Sequence, residues 1–114
     1  MLALSLIFSA GTAGRFMPQA QAQSSQQRLV QGRVTNKESQ PLKGAIVYLK
    51  DTHTLNVKSS ITPEAGTYRF GQLLQNIDYE IWAELGGKKS DTKTISSFDS
   101  KNQFNIDLKI NTEK

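Results

Sequence analysis

The sequence predicts an all-β fold, an antiparallel sandwich of about seven short strands, preceded by an apolar segment that is removed on export. From Leu29 onward apolar and polar residues alternate with a period of two, which is typical of half-buried strands. Turn-forming segments separate these runs at short intervals, as they do in antiparallel sandwiches. After residue 28 no segment has the length, the period and the caps of a helix.

Each predicted strand is bounded by a turn that the sequence marks. The turns include residues 35–41 (TNKESQP), residues 62–66 (TPEAG) and the hairpin signal Gly86-Gly87,. Lysines within residues 88–95 are typical of an exposed edge strand. We expect the core to contain the inward-facing residues of the strands: Val30, Val34, Ala45, Val47, Leu49, Tyr68, Phe70, Ile81, Ala83, Phe104, Ile106 and Leu108.

The first 22 residues have the pattern of a secretory signal peptide. Residues 2–13 are uncharged, mostly apolar and too short to span a bilayer,. Ala20 and Ala22 are small residues at the −3 and −1 positions of a cleavage site, so the mature chain is expected to begin at Gln23. The basic residues that usually precede the apolar run are missing, which departs from the pattern,. The alternative is an N-terminal amphipathic helix packed on the domain, although the apolar residues form no clear single helical face.

The predicted organisation follows from these boundaries. Residues 1–22 form the signal peptide, 23–28 a flexible lead-in, 29–110 one β-sandwich domain, and 111–114 a C-terminal tail. No other apolar segment reaches spanning length, so the mature form is expected to lack a membrane span. The predicted location is the periplasm or the extracellular space.

Composition excludes several classes of function. The chain has no cysteine and one histidine, which rules out disulfide frameworks, thiol nucleophiles and multi-histidine metal sites. The net charge is +4, and removal of Arg15 with the signal peptide leaves +3. This charge is small and dispersed, whereas a nucleic-acid surface clusters its lysines and arginines. No nucleic-acid partner is therefore expected.

Candidate catalytic and metal-binding residues have simpler explanations. His53 lies in a polar loop without a nucleophile motif around it,. Glu80 and Glu84 are about 13 Å apart on a strand, too far for paired acid and base work. Asp51 and Asp78 lie near turns and outside any calcium-loop pattern, so turn formation is expected. We expect no catalytic residue, no cofactor and no metal, and therefore no enzyme.

Four segments resemble the carboxypeptidase regulatory-like domain family. They are residues 30–34 (VQGRV), 41–49 (PLKGAIVYL), 62–70 (TPEAGTYRF) and 79–83 (YEIWA), in the order and spacing of that family. The resemblance covers residues 29–110 and implies a seven-stranded Greek-key sandwich of the transthyretin-like (prealbumin-like) type. It also implies a non-catalytic accessory module of exported bacterial proteins, and a fold of this kind limits function only loosely.

One surface is a candidate contact site. If Ile81 and Ala83 point inward, Trp82 must point outward, and Ile46 and Tyr48 follow the same rule on their strand. In the topology that the resemblance implies, these strands are neighbours, so we expect a contact surface formed by Ile46, Tyr48, Arg69, Glu80, Trp82 and Glu84.

Stiff aromatic side chains with polar neighbours suit a protein, a glycan or a second copy of the chain. The expected function is therefore a protein- or glycan-contacting module of the bacterial cell envelope. The alternative is a structural spacer without a specific ligand.

Overall fold

The computed structural model describes residues 27–113, which form two packed β-sheets. The predicted signal peptide and residues 23–26 of the predicted lead-in lie outside this range. Within it there is no helix long and apolar enough to cross a membrane. The strands are β1 (Arg28–Thr35), β2 (Ile46–Asp51), β3 (Val57–Ile61), β4 (Thr67–Leu73), β5 (Tyr79–Leu85), β6 (Lys88–Lys89), β7 (Lys93–Ile95), β8 (Gln103–Asn105) and β9 (Leu108–Lys109).

The strand order explains why residues 27–113 form nine strands where seven were expected. The first sheet has the order β4-β1-β8, and β9 also pairs with β1. The second sheet has the order β3-β2-β5-β6, and β7 also pairs with β5. In the first sheet β4 occupies one edge of β1, so β8 and β9 share its other edge. In the second sheet β2 occupies one edge of β5, so β6 and β7 share its other edge. Each pair is one edge strand that is interrupted along its length.

The expectation of a wholly antiparallel sandwich is wrong at one edge. The strand β1 pairs with β8 and with β9 in parallel, whereas its pairing with β4 is antiparallel. The chain crosses from the second sheet to the first through residues 96–102 and then runs alongside β1 in the same direction. Alternation along one strand carries no information about the direction of its neighbour.

The predicted core is confirmed at every position except one. Only Ile106 is partly exposed, and it packs against the core from its edge. The core also includes Leu73, which ends β4 rather than lying in a connection, together with Tyr79, Ile95 and Ile110. The two sheets therefore enclose one continuous apolar core.

Ile106 marks the interruption between β8 and β9, where the last strand was expected to be continuous. A Cβ atom built on Gly32 would lie 1.9 Å from the backbone oxygen of Ile106. This glycine therefore permits the backbone of Ile106 to cross close above β1. The buried hydroxyl of Tyr68, which pairs with Gly32 across β1 and β4, donates a hydrogen bond to the same oxygen.

Arg28 belongs to β1 and not to a flexible lead-in. Its side chain is only 1% exposed, and its guanidinium donates to the backbone oxygens of Ser96, Leu74 and Ile77 at 2.8, 2.6 and 2.6 Å. It also lies 5.6 Å from the centre of the Phe104 ring. Both terminal nitrogens of the guanidinium are thus hydrogen-bonded, whereas its buried Nε has no partner among the described residues. The three hydrogen bonds offset part of the cost of burying the charge and tie the start of β1 to two loops.

Candidate contact surface

The outer face of the second sheet brings the two predicted aromatic residues together. Tyr48 of β2 lies directly opposite Trp82 of β5 in the antiparallel register. Their ring centres are 5.4 Å apart and their planes differ by 22°, so the rings stack. Both side chains are partly exposed, whereas their chain neighbours Val47, Ile81 and Ala83 are buried. The period-two alternation thus places the aromatic pair on the surface.

The polar groups around Trp82 hold the indole in place. Its Nε1–H donates to Oε2 of Glu84 at 3.2 Å. The hairpin at Gly86 and Gly87, with positive φ of 59° and 80°, returns the chain beside β5,. Lys89 on the returning strand then places its ammonium group 5.3 Å from the centre of the Trp82 ring. Since β2 and β6 flank β5 on opposite sides, Tyr48 and Lys89 cover opposite faces of the indole.

Three other predicted residues join this surface. Ile46 lies opposite Glu84, and Glu80 lies opposite Lys50. All three predicted residues are partly exposed and have the same strand parity as the aromatic pair. The surface is therefore an aromatic centre with an isoleucine and two carboxylates around it.

Arg69, the sixth predicted residue, does not belong to this surface. It lies on β4 and pairs with Gln31 of β1 in the other sheet. Its exposed side chain follows the parity opposite to that of the buried Tyr68 and Phe70. It therefore faces away from the core on the far side of the sandwich, because β4 joins the first sheet and not the second.

Sequence reasoning missed two apolar residues that adjoin this surface. Val57 and Ile61 of β3 are 50% and 68% exposed. They lie opposite Lys50 and Ile46, while Ser59 lies opposite Tyr48. The alternation of Val57, Ser59 and Ile61 was visible in the sequence, but only the register of β3 shows that they share the face of Tyr48. Phe98, in the loop before β8, is a further exposed apolar residue, at 96%.

Of the two remaining candidate aspartates, Asp51 forms a turn as expected, whereas Asp78 links two loops. Oδ1 of Asp51 accepts hydrogen bonds from the backbone N–H groups of His53 and Thr54 at 2.7 and 3.0 Å. The hydrogen bond from Thr54 is the main cause that lowers the pKa of Asp51. Asp78 accepts from the N–H of Ser97, which likewise lowers its pKa. Among residues 27–113 no group of three or more His, Asp or Glu side chains is placed to hold a metal ion.

A cleft of about 290 Å³ opens beside the outer face, between the edges of β3 and β4. Its apolar wall is formed by Leu49, Leu74 and Tyr79. The polar residues that line it do not converge on a single point, and the lysine among them is exposed: Asp51, Asn56, Lys58 and Gln72. The cleft separates the start of β3, at Asn56 and Lys58, from β4 of the first sheet.

The four segments that resemble one family lie at β1, β2, β4 and β5 of this fold, and a family model confirms the likeness. The model of the carboxypeptidase regulatory-like domain matches residues 29–110. The chain belongs to the carboxypeptidase regulatory-like domain family. A search of curated proteins finds no match.

Solved structures share the transthyretin-like fold of this carboxypeptidase regulatory-like domain at low identity. Catechol 1,2-dioxygenase from Acinetobacter sp. ADP1 superposes with a TM-score of 0.58 and 13% identity, over 83% of this chain and 55% of that one. BcpA, the major pilin subunit of Bacillus cereus, superposes with a TM-score of 0.59 and 14% identity, over 76% of this chain and 30% of that one. The chain spans about half of that dioxygenase, and such identities show the fold alone.

Proposed function

We infer that this carboxypeptidase regulatory-like domain is an exported, non-catalytic accessory module of the bacterial cell envelope, and that it contacts a protein through the outer face of its second sheet. The observation that carries the proposal is the stacked pair Tyr48 and Trp82, partly exposed at the centre of that face. Large, stiff aromatic side chains give contact area at low entropic cost. They are also enriched among the residues that dominate binding energy.

The geometry favours a protein over a sugar ring as the occupant. A sugar that stacks on an aromatic residue needs a free ring face, and both faces of the Trp82 indole are covered by Tyr48 and Lys89. The indole N–H already donates to Glu84. The outer face of Tyr48 borders the small side chain of Ser59, and two carboxylates and a lysine lie around the ring pair. This mixed surface suits a protein contact.

The test compares matched variants on the two sheets. Proteins from the envelope fraction are captured on the immobilised chain and on the variants Trp82→Ala, Tyr48→Ala and Arg69→Ala. Both aromatic variants should lower the amount of the captured partner by about tenfold or more, as expected for residues central to an interface. Arg69→Ala, on the opposite sheet, should not change it. Equal capture by all four proteins would favour the spacer alternative.

Export is tested separately, because the contact role does not depend on it. N-terminal sequencing of secreted material is expected to begin at or next to Gln23, as the small residues Ala20 and Ala22 indicate,. Recovery of the chain from the cytosol with residues 1–22 intact would contradict export and leave the contact proposal to its own test.

A further inference from the structure

The strand β3 has one free edge in the described part of the chain. It pairs with β2 alone, and four of its five residues are exposed. A strand edge with unpaired backbone groups is a template for pairing with another strand. Proteins protect such edges with charges, prolines or bulges, but β3 carries one lysine, no proline and two exposed apolar residues, Val57 and Ile61.

The hydrogen bonds to β2 show which backbone groups are free. The N–H of Asp51 donates to the oxygen of Asn56 at 2.9 Å, and the N–H of Thr62 donates to the oxygen of Ala45 at 2.9 Å. In an antiparallel pair, successive residues of a strand turn their backbone groups to opposite sides. The even-numbered residues of β3 therefore face β2, and the odd-numbered residues face the free edge.

The groups at the free edge are the N–H and C=O of Val57, Ser59 and Ile61. Their side chains share the outer face, since these residues lie opposite Lys50, Tyr48 and Ile46. A new antiparallel strand would meet three regularly spaced donor and acceptor pairs, next to two apolar side chains.

We propose that the chain pairs with a second copy of itself through the free edge of β3, in an antiparallel two-fold register centred on Ser59. This register places Val57 opposite the partner's Ile61 and Ser59 opposite the partner's Ser59. In this register residues 57, 59 and 61 of each copy all turn their N–H and C=O groups toward the partner strand. Each of the three residue pairs exchanges two backbone hydrogen bonds, about six in total. Apolar residues meet apolar residues, and the smallest side chains meet on the axis.

Charge also favours this register. Lys58 lies opposite the partner's Ser60, so the two lysines of the pair do not face each other. Like charges directly opposite on neighbouring strands are destabilising.

The association extends the second sheet across the two copies. Across the extended sheet, Ser59 lies between Tyr48 and the two-fold axis. Tyr48 and the partner's Tyr48 therefore border a shallow trough over the two serines. Trp82 lies one strand farther from the axis. A standard stable interface buries about 1,600 Å² in total. Pairing through one short strand buries less than that, so we expect a weak dimer.

The first experiment is sedimentation velocity of the 114-residue chain over a range of concentrations. We expect a reversible dimer that is populated at about 100 μM and above, as for small transient interfaces. Ser59→Pro removes one outward N–H and keeps the ladder to β2, because a proline is tolerated where its missing donor faces solvent. It should raise the dimer dissociation constant by about tenfold or more, a loss of about 1.4 kcal/mol. A monomer at every concentration, or an unchanged constant in Ser59→Pro, would overturn the proposal.

The second experiment tests the register with two double variants that each introduce two charged side chains at the same two positions. Val57→Lys with Ile61→Lys puts like charges opposite each other across the axis and should abolish the dimer. Val57→Glu with Ile61→Lys puts opposite charges there and should retain it. Both sites are exposed, so both variants should fold. Equal behaviour of the two variants would show that any association is non-specific or uses another surface.

The third experiment uses the absence of cysteine from the sequence. Residues opposite each other in a hydrogen-bonded pair have Cα atoms about 5.5 Å apart, within reach of a disulfide. Under mild oxidation Ser59→Cys should crosslink to itself, and a Val57→Cys chain should crosslink to an Ile61→Cys chain more than to itself. Ser100→Cys, exposed in a loop, serves as the control. Crosslinking of Ser59→Cys no faster than the control would reject the register.

The proposal stands apart from the contact role of the aromatic pair. Trp82→Ala should leave the dimer intact while it removes the envelope contact, and Ser59→Pro should do the reverse. The failure of either idea therefore shows in a different variant.

Discussion

Tyr68 and Tyr48 occupy strands of opposite sheets and show how differently the two sheets use the same side chain. Tyr68 points into the core, is 4% exposed, and donates to the Ile106 oxygen at the interruption of an edge strand. Tyr48 points outward and stacks on Trp82, and its contacts lie among surface side chains. Strand parity decides whether a tyrosine is inside or outside, but the neighbouring strand decides what it does there.

The comparison divides the molecule into a region that holds the fold and a region available for contacts. The first region consists of Gly32, Tyr68 and Ile106, with Arg28 at the start of the same strand. Gly32 and Tyr68 both meet the backbone oxygen of Ile106, and Arg28 donates to three backbone oxygens. The second region is the outer face of β2, β3 and β5. Substitutions should therefore lower stability strongly in the first region and association in the second.

The largest expected effect is that of Gly32→Ala. The added Cβ would lie 1.9 Å from the Ile106 backbone oxygen, so the backbone between β8 and β9 has to move. We expect the free energy of unfolding to fall by about 4 kcal/mol, as for the severest core substitutions. Gly71→Ala is the matched control, because its Cβ would meet only the Arg69 guanidinium at 3.7 Å. Urea unfolding measures both, and similar losses would mean that Ile106 does not press on Gly32.

Arg28→Met should lower the free energy of unfolding by about 3 kcal/mol, because three backbone oxygens each lose a partly buried hydrogen bond from a charged donor,. Arg33→Met, on an exposed position of the same strand, should change it by about 0.5 kcal/mol or less,. Thermal unfolding by circular dichroism distinguishes them. A stable Arg28→Met protein would show that water reaches these oxygens.

Tyr68→Phe should lower the free energy of unfolding by about 2 kcal/mol at neutral pH, because the Ile106 oxygen loses its donor. Burial, with a smaller effect from the charge of Asp107, raises the pKa of the Tyr68 phenol above its ordinary value of 10.0. The unfolded chain then ionises first, so this contribution is complete below about pH 10 and is lost as the pH rises further. The gap between the two proteins should narrow above that pH, and a constant gap would contradict the raised pKa.

Among the residues with a proposed role, the smallest loss of stability is expected for Trp82→Ala. The lost stacking on Tyr48 is typically about 1 kcal/mol, whereas Ile81→Ala, on the adjacent buried position, should cost about 3 kcal/mol,. Chemical denaturation of the two variants tests this directly. If Trp82→Ala is as destabilising as Ile81→Ala, the tryptophan supports the fold and the contact role must be given up.

Much of the core followed from alternation, and the exceptions have identifiable causes. Val30, Val47, Ile81 and Leu108 are buried as the period of two predicts. Ile106 departs from it because its backbone turns over Gly32 and interrupts the strand. A period-two pattern describes a regular strand, and it cannot show where a crossing strand forces an irregularity.

The candidate surface was also predicted only in part from the sequence. Tyr48 and Trp82 were placed together because their parity and the family topology agree, and the register makes them direct partners. Arg69 was misplaced because its strand joins the other sheet. Val57 and Ile61 were missed because their exposure depends on β3 being the last strand of its sheet.

The sequence by itself determined the strand content, the inward and outward residues, the turns and the family, since these depend on local alternation, on backbone freedom and on short motifs. Only the tertiary structure decided which edges remain free, that β8 and β9 run parallel to β1, and that Arg28 is buried among carbonyl groups. These properties arise from the pairing of segments far apart in the chain. Because pairing depends on the geometry of both partners, neither segment encodes it alone.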